Sequence, residues 1–371
     1  MMCYRMNLGR PKHVGTFHPR LGSGKAQYVL SSGRPYSFAN NVDCSGASPY
    51  QGWRPLSLIL ILLSLLFAAT LQAWGPLGHC AIAAIAQKHL SVSAQSHVAA
   101  LLAQGHDSDL PSIANWADEV RAAASGRGPL VDDAETRAFN AKFPTNALWH
   151  FVDLPLGAEG YREVVVFTSV NDVVHAIKRC VVVLERAESR ADDFTKPQAL
   201  RLLVHFVGDI HQPLHCGTGF YDLSNLSHPV LITDPGLCSG KPNDRGGNDL
   251  FFGADPNQEL HALWDDSLVF AIRNSADYGS LAAWLDSTQS VSATTGDYHD
   301  WPEQWVIDSV QQARKAYRNL EFDTATINGQ RLRITVQLPN GYIDENRSLA
   351  ATQLTKAGLH LAQILNSLAW P

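Results

Sequence analysis

Cysteine is scarce in this chain, six among 371 residues, and no two are spaced as CxxC. Zinc sites built from thiolates commonly use such closely spaced pairs, so their absence argues against that class of site. Basic charge is short as well. The net charge is −6, which argues against a broadly cationic face for binding nucleic acid. Internal repeats are lacking, which excludes a repeat array. Charged residues are 17 % and hydrophobic residues 45 %, an ordinary globular balance with enough apolar material for a sizeable core.

Long hydrophobic runs are nearly absent too. The exception is Leu56–Ala69, broken by Ser57 and Ser64. It is short for a membrane span, which needs about 17–25 residues. Arg54 precedes it and Leu71-Gln72-Ala73 follows, the pattern of a secretory signal cleaved after Ala73. The alternative is an uncleaved anchor with residues 1–53 on the cytosolic side. Residues 1–53 are rich in Gly, Ser and Pro and show no period. The leader carries seven basic residues against the single acid Asp43, a net of +6, so with a total of −6 residues 74–371 carry −12. The expected organisation is a leader over 1–73 and one domain over 74–371, secreted or periplasmic, with no membrane attachment and no stable protein partner.

Cys3 and Cys44 leave with the leader, and Cys80, Cys180, Cys216 and Cys238 remain. In an exported chain these suggest two disulfides. Cys216 and Cys238 flank a loop-like insert, 217–243, and form the favoured pair. The sequons at Asn225 and Asn346 are glycosylation sites only if the source is a eukaryote.

Apolar periodicity predicts helices over 79–90, 93–103, 112–124, 168–186, 196–212, 257–270, 301–320 and 346–368. Pro213 ends or kinks the fifth. Segments 125–148 and 216–256 read as Gly/Pro/Asp/Asn-rich loops. RLRITVQLPNGYI, 331–343, alternates and contains Asn340-Gly341, which predicts a short hairpin there. The fold class is all-α: a single helical domain with short β-hairpins and long loops.

The most informative segment is HFVGDIHQPLH, 205–215. His205 and Asp209 are four apart and share one helix face. Imidazole and carboxylate at that spacing are zinc-type ligands, although a hydrogen-bonded His–Asp core pair satisfies the same pattern. Left unpaired in an apolar helix, each would cost roughly 2–7 kcal/mol. His261 and Asp265 in HALWD repeat the spacing. His79 in WGPLGH, Asp118 in NWADEVR and His150 in LWHFVD are further candidates. Helical bundles assemble multi-metal sites from facing helices.

Taken in order, Trp74-Gly75 with Gly78-His79, NWAD, WHFVD, HFVGDIHQPLH, DRGGND and HALWD resemble the S1/P1 family of zinc-dependent nucleases, which share a phospholipase C-like helical fold. The resemblance runs from Trp74 to the terminal helix. It implies three zinc ions. Asp118, His150, His205 and Asp209 match ligands of the first, and His215, His261 and Asp265 match those of the second. His79, a bridging Asp209 and Trp74 match those of the third. Trp74 would bind through its α-amino nitrogen and backbone carbonyl, a chelate that needs cleavage after Ala73. Three dications against Asp118, Asp209 and Asp265 would leave a locally positive site on an acidic body, suited to a phosphodiester.

The implied chemistry is metal-assisted hydrolysis of single-stranded DNA and RNA to 5′-phosphate products, with 3′-nucleotidase activity on 3′-nucleotides. Asp118 and Asp209 are the catalytic carboxylates of this reading. Arg121 matches an arginine near the scissile phosphate, Phe151 an aromatic on which a base stacks, and Asp153 a group at the base edge. Asn248 in the GGND turn would support the site. His211 is expected to pack rather than ligate, and His89, His97, His106, His175, His228, His299 and His360 to be surface or core. A zinc-dependent phospholipase C and a non-catalytic exported metal-binding protein remain as alternatives.

Overall fold

The computed structural model describes residues 74–371 apart from Pro256 and Gln330. The apolar run 56–69, Cys3, Cys44 and the cleavage point's leader side lie outside the described residues.

Helix α1 (Gly75–Lys88) is central. Its small residues Gly75, Gly78, Ala81, Ala83 and Ala86 are all buried, which lets neighbours approach closely. A Cβ on Gly358 would sit 2.7 Å from Ile85, so the long C-terminal helix crosses α1 almost backbone to backbone. Around it run α2 (Val92–Gln104), the short α3 (Leu110–Ile113), α4 (Trp116–Ala124), α5 (Ala134–Lys142), α6 (Val173–Glu185) and α7 (Lys196–Ile210). Next come α8 (Leu260–Ala262), a π-helical turn at Leu263–Ser267, and α9 (Leu268–Arg273). Last are α10 (Tyr278–Thr288), α11 (Trp301–Ala316) and α12 (Tyr342–Ser367).

Helix α7 explains the architecture. A Thr195–Gln198 capping box starts it, with Pro197 in its first turn. Residues 199–210 are then buried on every side, as expected of a helix apolar all round. It is packed by α6, α2, α4, α1 and α12. Any polar side chain on α7 therefore points into protein, and His205 and Asp209 do so.

Short strands stitch the loops. β1 (Leu154–Pro155) pairs in parallel with β2 (Gly217–Thr218), and β3 (Phe220–Asp222) forms a hairpin with β4 (Val230–Ile232). β5 (Leu250–Phe251) lies parallel to β7 (Arg331–Gln337), which pairs antiparallel with β6 (Glu321–Asn328).

Several expectations need correction. The hairpin turns at Asn328-Gly329, where Gly329 has φ +63°. Asn340-Gly341 instead opens α12, with Gly341 in the left-handed region as its N-cap. Segment 125–148 is not all loop, because Asp133 caps α5 within it. The predicted helix 112–124 breaks at Ala114-Asn115 into α3 and α4, and α10 had no counterpart among the predicted helices.

The favoured Cys216–Cys238 disulfide is not present, and Cys180 is joined to neither of them. Cys216 Sγ is fully buried against Ile210 O, while Cys238 Sγ is held by Asp234 O. Burial pushes the Cys180, Cys216 and Cys238 thiols up, away from the reactive thiolate. Asn346 is buried with its amide donated to Tyr342 O, so that sequon is closed in the folded chain. Asn225 is exposed on the β3–β4 loop.

Candidate metal centre

Five histidines and three aspartates from α1, α4, α7, α8, the π turn and two 3-10 turns converge in the interior. His79, Asp118, His150, His205, Asp209, His215, His261 and Asp265 are each at most 6 % exposed. At that burial an ionisable group needs a partner or a metal.

The groups form three clusters: His79 with His205 and Asp209, Asp118 with His150 and His205, and, separately, His215 with His261 and Asp265; the first two share His205. Asp209 joins the first two. Its Oδ2 is 3.0 Å from His150 Nδ1 and 3.3 Å from His205 Nε2, and its Oδ1 is 3.4 Å from His79 Nε2. Asp118 Oδ1 is 3.7 Å from His150 Nδ1 and 3.8 Å from His205 Nε2.

Backbone carbonyls set the tautomers. Nδ1 of His205 is 2.7 Å from Ala114 O, that of His215 2.7 Å from His150 O, and that of His261 2.7 Å from Gly246 O. Each Nδ1 must donate, which leaves a lone pair on each Nε2 of the neutral ring. The Nε2 atoms of His215 and His261 then face each other at 3.2 Å, and His261 Nε2 also faces Asp265 Oδ2 at 3.3 Å. The two imidazole lone pairs confronting one another in a dry pocket repel unless a cation lies between them. Both ring nitrogens of His79 and Asp209 Oδ1 are likewise buried without a hydrogen-bond partner. Metal ligation is what such a donor set fits.

The electrostatics agree. Burial opposes the charge on His205, yet Asp209 and Asp118 hold it protonated and push it up to about 9. The pocket thus draws positive charge to Nε2. Burial, with Arg121 adding to it, lowers His150 to about 4, and burial with His215 lowers His261 to about 3. Neutral imidazole is the metal-binding form. Asp209 sits well below the carboxylate range against its burial because His205, His150 and His79 surround it. Burial pushes Asp265 well up.

Local structure accounts for the placement. His205 and Asp209 are one turn apart on α7, and Gly208 between them lets His79 in: a Cβ there would meet His79 Nδ1 at 2.7 Å. His79 stacks on His205 at 3.9 Å. Pro213 starts a 3-10 turn that swings His215 back over His150. Asp265 lies in the π turn, which re-aims it toward His261; such turns recur at functional sites. Trp74 caps α1 one turn before His79, with its indole fully buried.

Family models and named relatives add to this geometry. The S1/P1 nuclease model matches residues 74–369. The chain belongs to the S1/P1 nuclease family. Nuclease PA3 of Penicillium sp. is 32 % identical over 312 residues, covering 80 % of this chain and 97 % of that protein. Endonuclease 4 of Arabidopsis thaliana is 25 % identical over 337 residues, 83 % and 92 % of the two chains. Nuclease S1 of Aspergillus oryzae is 24 % identical over 331 residues, 85 % and 98 %. The protein is therefore a nuclease, a hydrolase of phosphodiester bonds with nucleic acid as substrate, in a metal-dependent family. The phospholipase and binding-protein alternatives fall away.

The remaining predicted residues of this S1/P1 nuclease are Arg121, Phe151, Asp153 and Asn248. Arg121 Nη2 approaches Asp118 Oδ1 at 2.7 Å and is half-buried. Phe151 is half-buried directly after His150, and Asp153 accepts from Thr218 Oγ1 at 2.8 Å. Burial raises the Asp153 carboxyl. Asn248 donates to Arg245 O, and its own Oδ1 is buried without a partner. His211 packs as expected, its Nδ1 on Val207 O and its Nε2 on His360. Gln212 was missed. It is fully buried, donates to Asp265 Oδ1 at 2.7 Å and accepts from Leu214 N. It therefore orients Asp265 from inside the HQPLH motif, and a polar residue there amid apolar neighbours was its only signal.

Proposed function

We propose that this nuclease is an exported, zinc-dependent endonuclease of unpaired DNA and RNA, leaving 5′-phosphate ends and acting also on 3′-nucleotides. The observation that supports it most is the approach of Asp209 to His79, His150 and His205 beside the lone-pair opposition of His215 and His261. Asp118, His150, His205 and Asp209 would hold one zinc, His215, His261 and Asp265 a second, and His79, Asp209 and the amino terminus of Trp74 a third. Bound zinc supplies an ionised water near neutral pH and neutralises phosphate charge.

The protein's own groups do the rest. The carbonyls of Ala114, His150 and Gly246 hold the Nε2 lone pairs inward. Arg121 at the rim counters charge on the phosphoryl oxygens. Phe151 offers a stacking face worth about 1–3 kcal/mol per base. Thr218 fixes one oxygen of Asp153 and leaves the other for an exocyclic amine on a base edge. A base paired in a duplex reaches neither group, and this is the physical basis for choosing single strands. Asn248 supports the rim through Arg245. Residues 1–73 would be removed on export, and no stable protein partner is required.

Incubating the exported protein with heat-denatured and with duplex DNA, with and without chelator, tests the reading. Chelator-sensitive cutting of the denatured strand, with ends that a ligase accepts as 5′-phosphates, is expected. Equal cutting of the duplex, or 5′-hydroxyl ends, would overturn it.

A further inference from the structure

Asp244 belongs to none of the three clusters, yet it is fully buried and lacks a cationic partner among its hydrogen bonds. It accepts instead from Gly219 N at 3.2 Å, Gly247 N at 3.0 Å, Tyr221 Oη at 2.6 Å and Tyr317 Oη at 2.9 Å. Burial pushes its carboxyl up to about 6 against these donors. A buried carboxylate is costly to keep without a cation, so its position calls for a reason.

The turn that follows supplies one. Arg245, Gly246 and Gly247 have φ of +52°, +62° and +81°, three successive residues in the left-handed region. For Arg245 this is strained, and strain persists where surrounding bonds over-determine it. Arg245 N is tied to Asn243 Oδ1, its carbonyl to Asn248 Nδ2, and its side chain to Asp249. Asp244 anchors the far side through Gly247 N. The turn has two outputs. Gly246 O receives His261 Nδ1 at 2.7 Å, and Gly247 O receives His261 N at 3.3 Å. Gly246 also packs on the backbone of Leu214, where a Cβ would come within 1.9 Å of the carbonyl, directly before His215. The turn thus touches both halves of the His215–His261 pair.

We propose that Asp244 is a positioning residue for this pair: by accepting from Gly247 it holds the glycine turn whose carbonyl fixes the tautomer and aim of His261. The carboxylate acts through its lone pairs. An amide with its oxygen toward Gly219 and Gly247 keeps those bonds, and its NH2 meets tyrosine hydroxyls, which also accept. Asparagine therefore replaces the function, and alanine does not.

The inference rests on reading the pair as metal-holding, and two measurements on the exported protein separate the two ideas. The first counts tightly bound zinc and its affinity. The second reads the His261 tautomer by long-range proton–nitrogen NMR in chelator-stripped protein. Asp244→Ala is expected to mix the His261 tautomers and weaken one zinc equivalent about 10–100-fold, the usual effect of losing an orienting neighbour. The other equivalents stay, and Asp244→Asn restores both readouts. Tyr221→Phe with Tyr317→Phe, which leaves the carboxylate and its backbone bonds, is expected to keep the tautomer even if Asp244→Ala does not fold. The proposal is overturned if Asp244→Ala keeps a single Nδ1–H tautomer and full affinity, if Asp244→Asn fails as Asp244→Ala does, or if the tyrosine variant alone scrambles His261. Wild-type protein that binds no zinc would sink the metal reading while leaving the tautomer test of Asp244 standing.

Discussion

Nε2 of His215 and Nε2 of His261 face each other at 3.2 Å, and each ring has already committed its Nδ1 proton to a backbone carbonyl. Neither nitrogen can donate to the other in the neutral state. The contact is favourable only with positive charge between the rings. Chelation should therefore cost stability as well as activity. A metal held at about 1,000 times its Kd contributes about 4 kcal/mol to the folded state. A Tm lowered by several degrees on adding chelator, and restored by zinc, is the expected result in a thermal melt. An unchanged Tm would count against the site.

Asp209 lies within reach of His79, His150 and His205. Asp209→Asn removes the charge that two clusters share. The rate on single-stranded DNA should fall by more than about 100-fold, the upper range for disturbing only a supporting neighbour. Zinc content should fall by more than one equivalent. Loss of a single equivalent would show that Asp209 does not bridge.

Gly208 is the one interior glycine of α7, and alanine there gains up to about 1 kcal/mol in helix propensity. The new Cβ would lie 2.7 Å from His79 Nδ1. The ring cannot retreat, because it is buried and stacked on His205 at 3.9 Å. Overpacking of this kind costs about 1–3 kcal/mol. Gly208→Ala should therefore destabilise the protein on balance and weaken metal retention at His79. A variant as stable as the parent, with full zinc content, would show that His79 has room to move.

Asp244 carries a pH signature. Its carboxyl is raised by burial to about 6 from an ordinary 3.8, facing only Tyr221, Tyr317 and the Gly219 and Gly247 amides. A group raised in the folded state contributes stability that is fully present below pH 3.8 and lost as pH climbs through 6. The loss is at most about 3 kcal/mol for a shift of this size. Wild type minus Asp244→Asn, measured by denaturant unfolding from pH 4 to pH 7, should show that decline. A flat difference would mean the carboxyl titrates normally.

Trp74 is fully buried at the start of α1, one turn before His79. If its freed amino group completes the third zinc site, inserting one residue between Ala73 and Trp74 displaces that nitrogen. The exported variant should then bind one zinc fewer than the parent. Equal zinc counts, with amino-terminal sequencing confirming the insertion, would exclude the terminal chelate.

Local order was legible where covalent spacing alone decides it. The four-residue interval put His205 with Asp209 and His261 with Asp265 on single helix faces, and both pairs are in contact at 3.3 Å. The apolar pattern found α6, α7, α11 and α12 close to their bounds. The predicted helices did not include α5 and α10, which start at the N-caps Asp133 and Asp277. The Asn328-Gly329 turn was missed because Asn340-Gly341 carries the same local signal, and only strand pairing distinguishes them. Export composition suggested disulfides, whereas packing left the thiols of Cys180, Cys216 and Cys238 apart in the core or against backbone carbonyls.

The sequence by itself determined which side chains could ligate and which of them lie one helical turn apart, because both follow from residue type and the 3.6-residue period. Only the tertiary structure decided that Gln212 holds Asp265 and that carbonyls of Ala114, His150 and Gly246 turn three imidazoles inward. Those relations join residues 15 to 91 positions apart. They exist only once helices buried against one another fix the directions of lone pairs, and no local pattern in the chain encodes a direction in space.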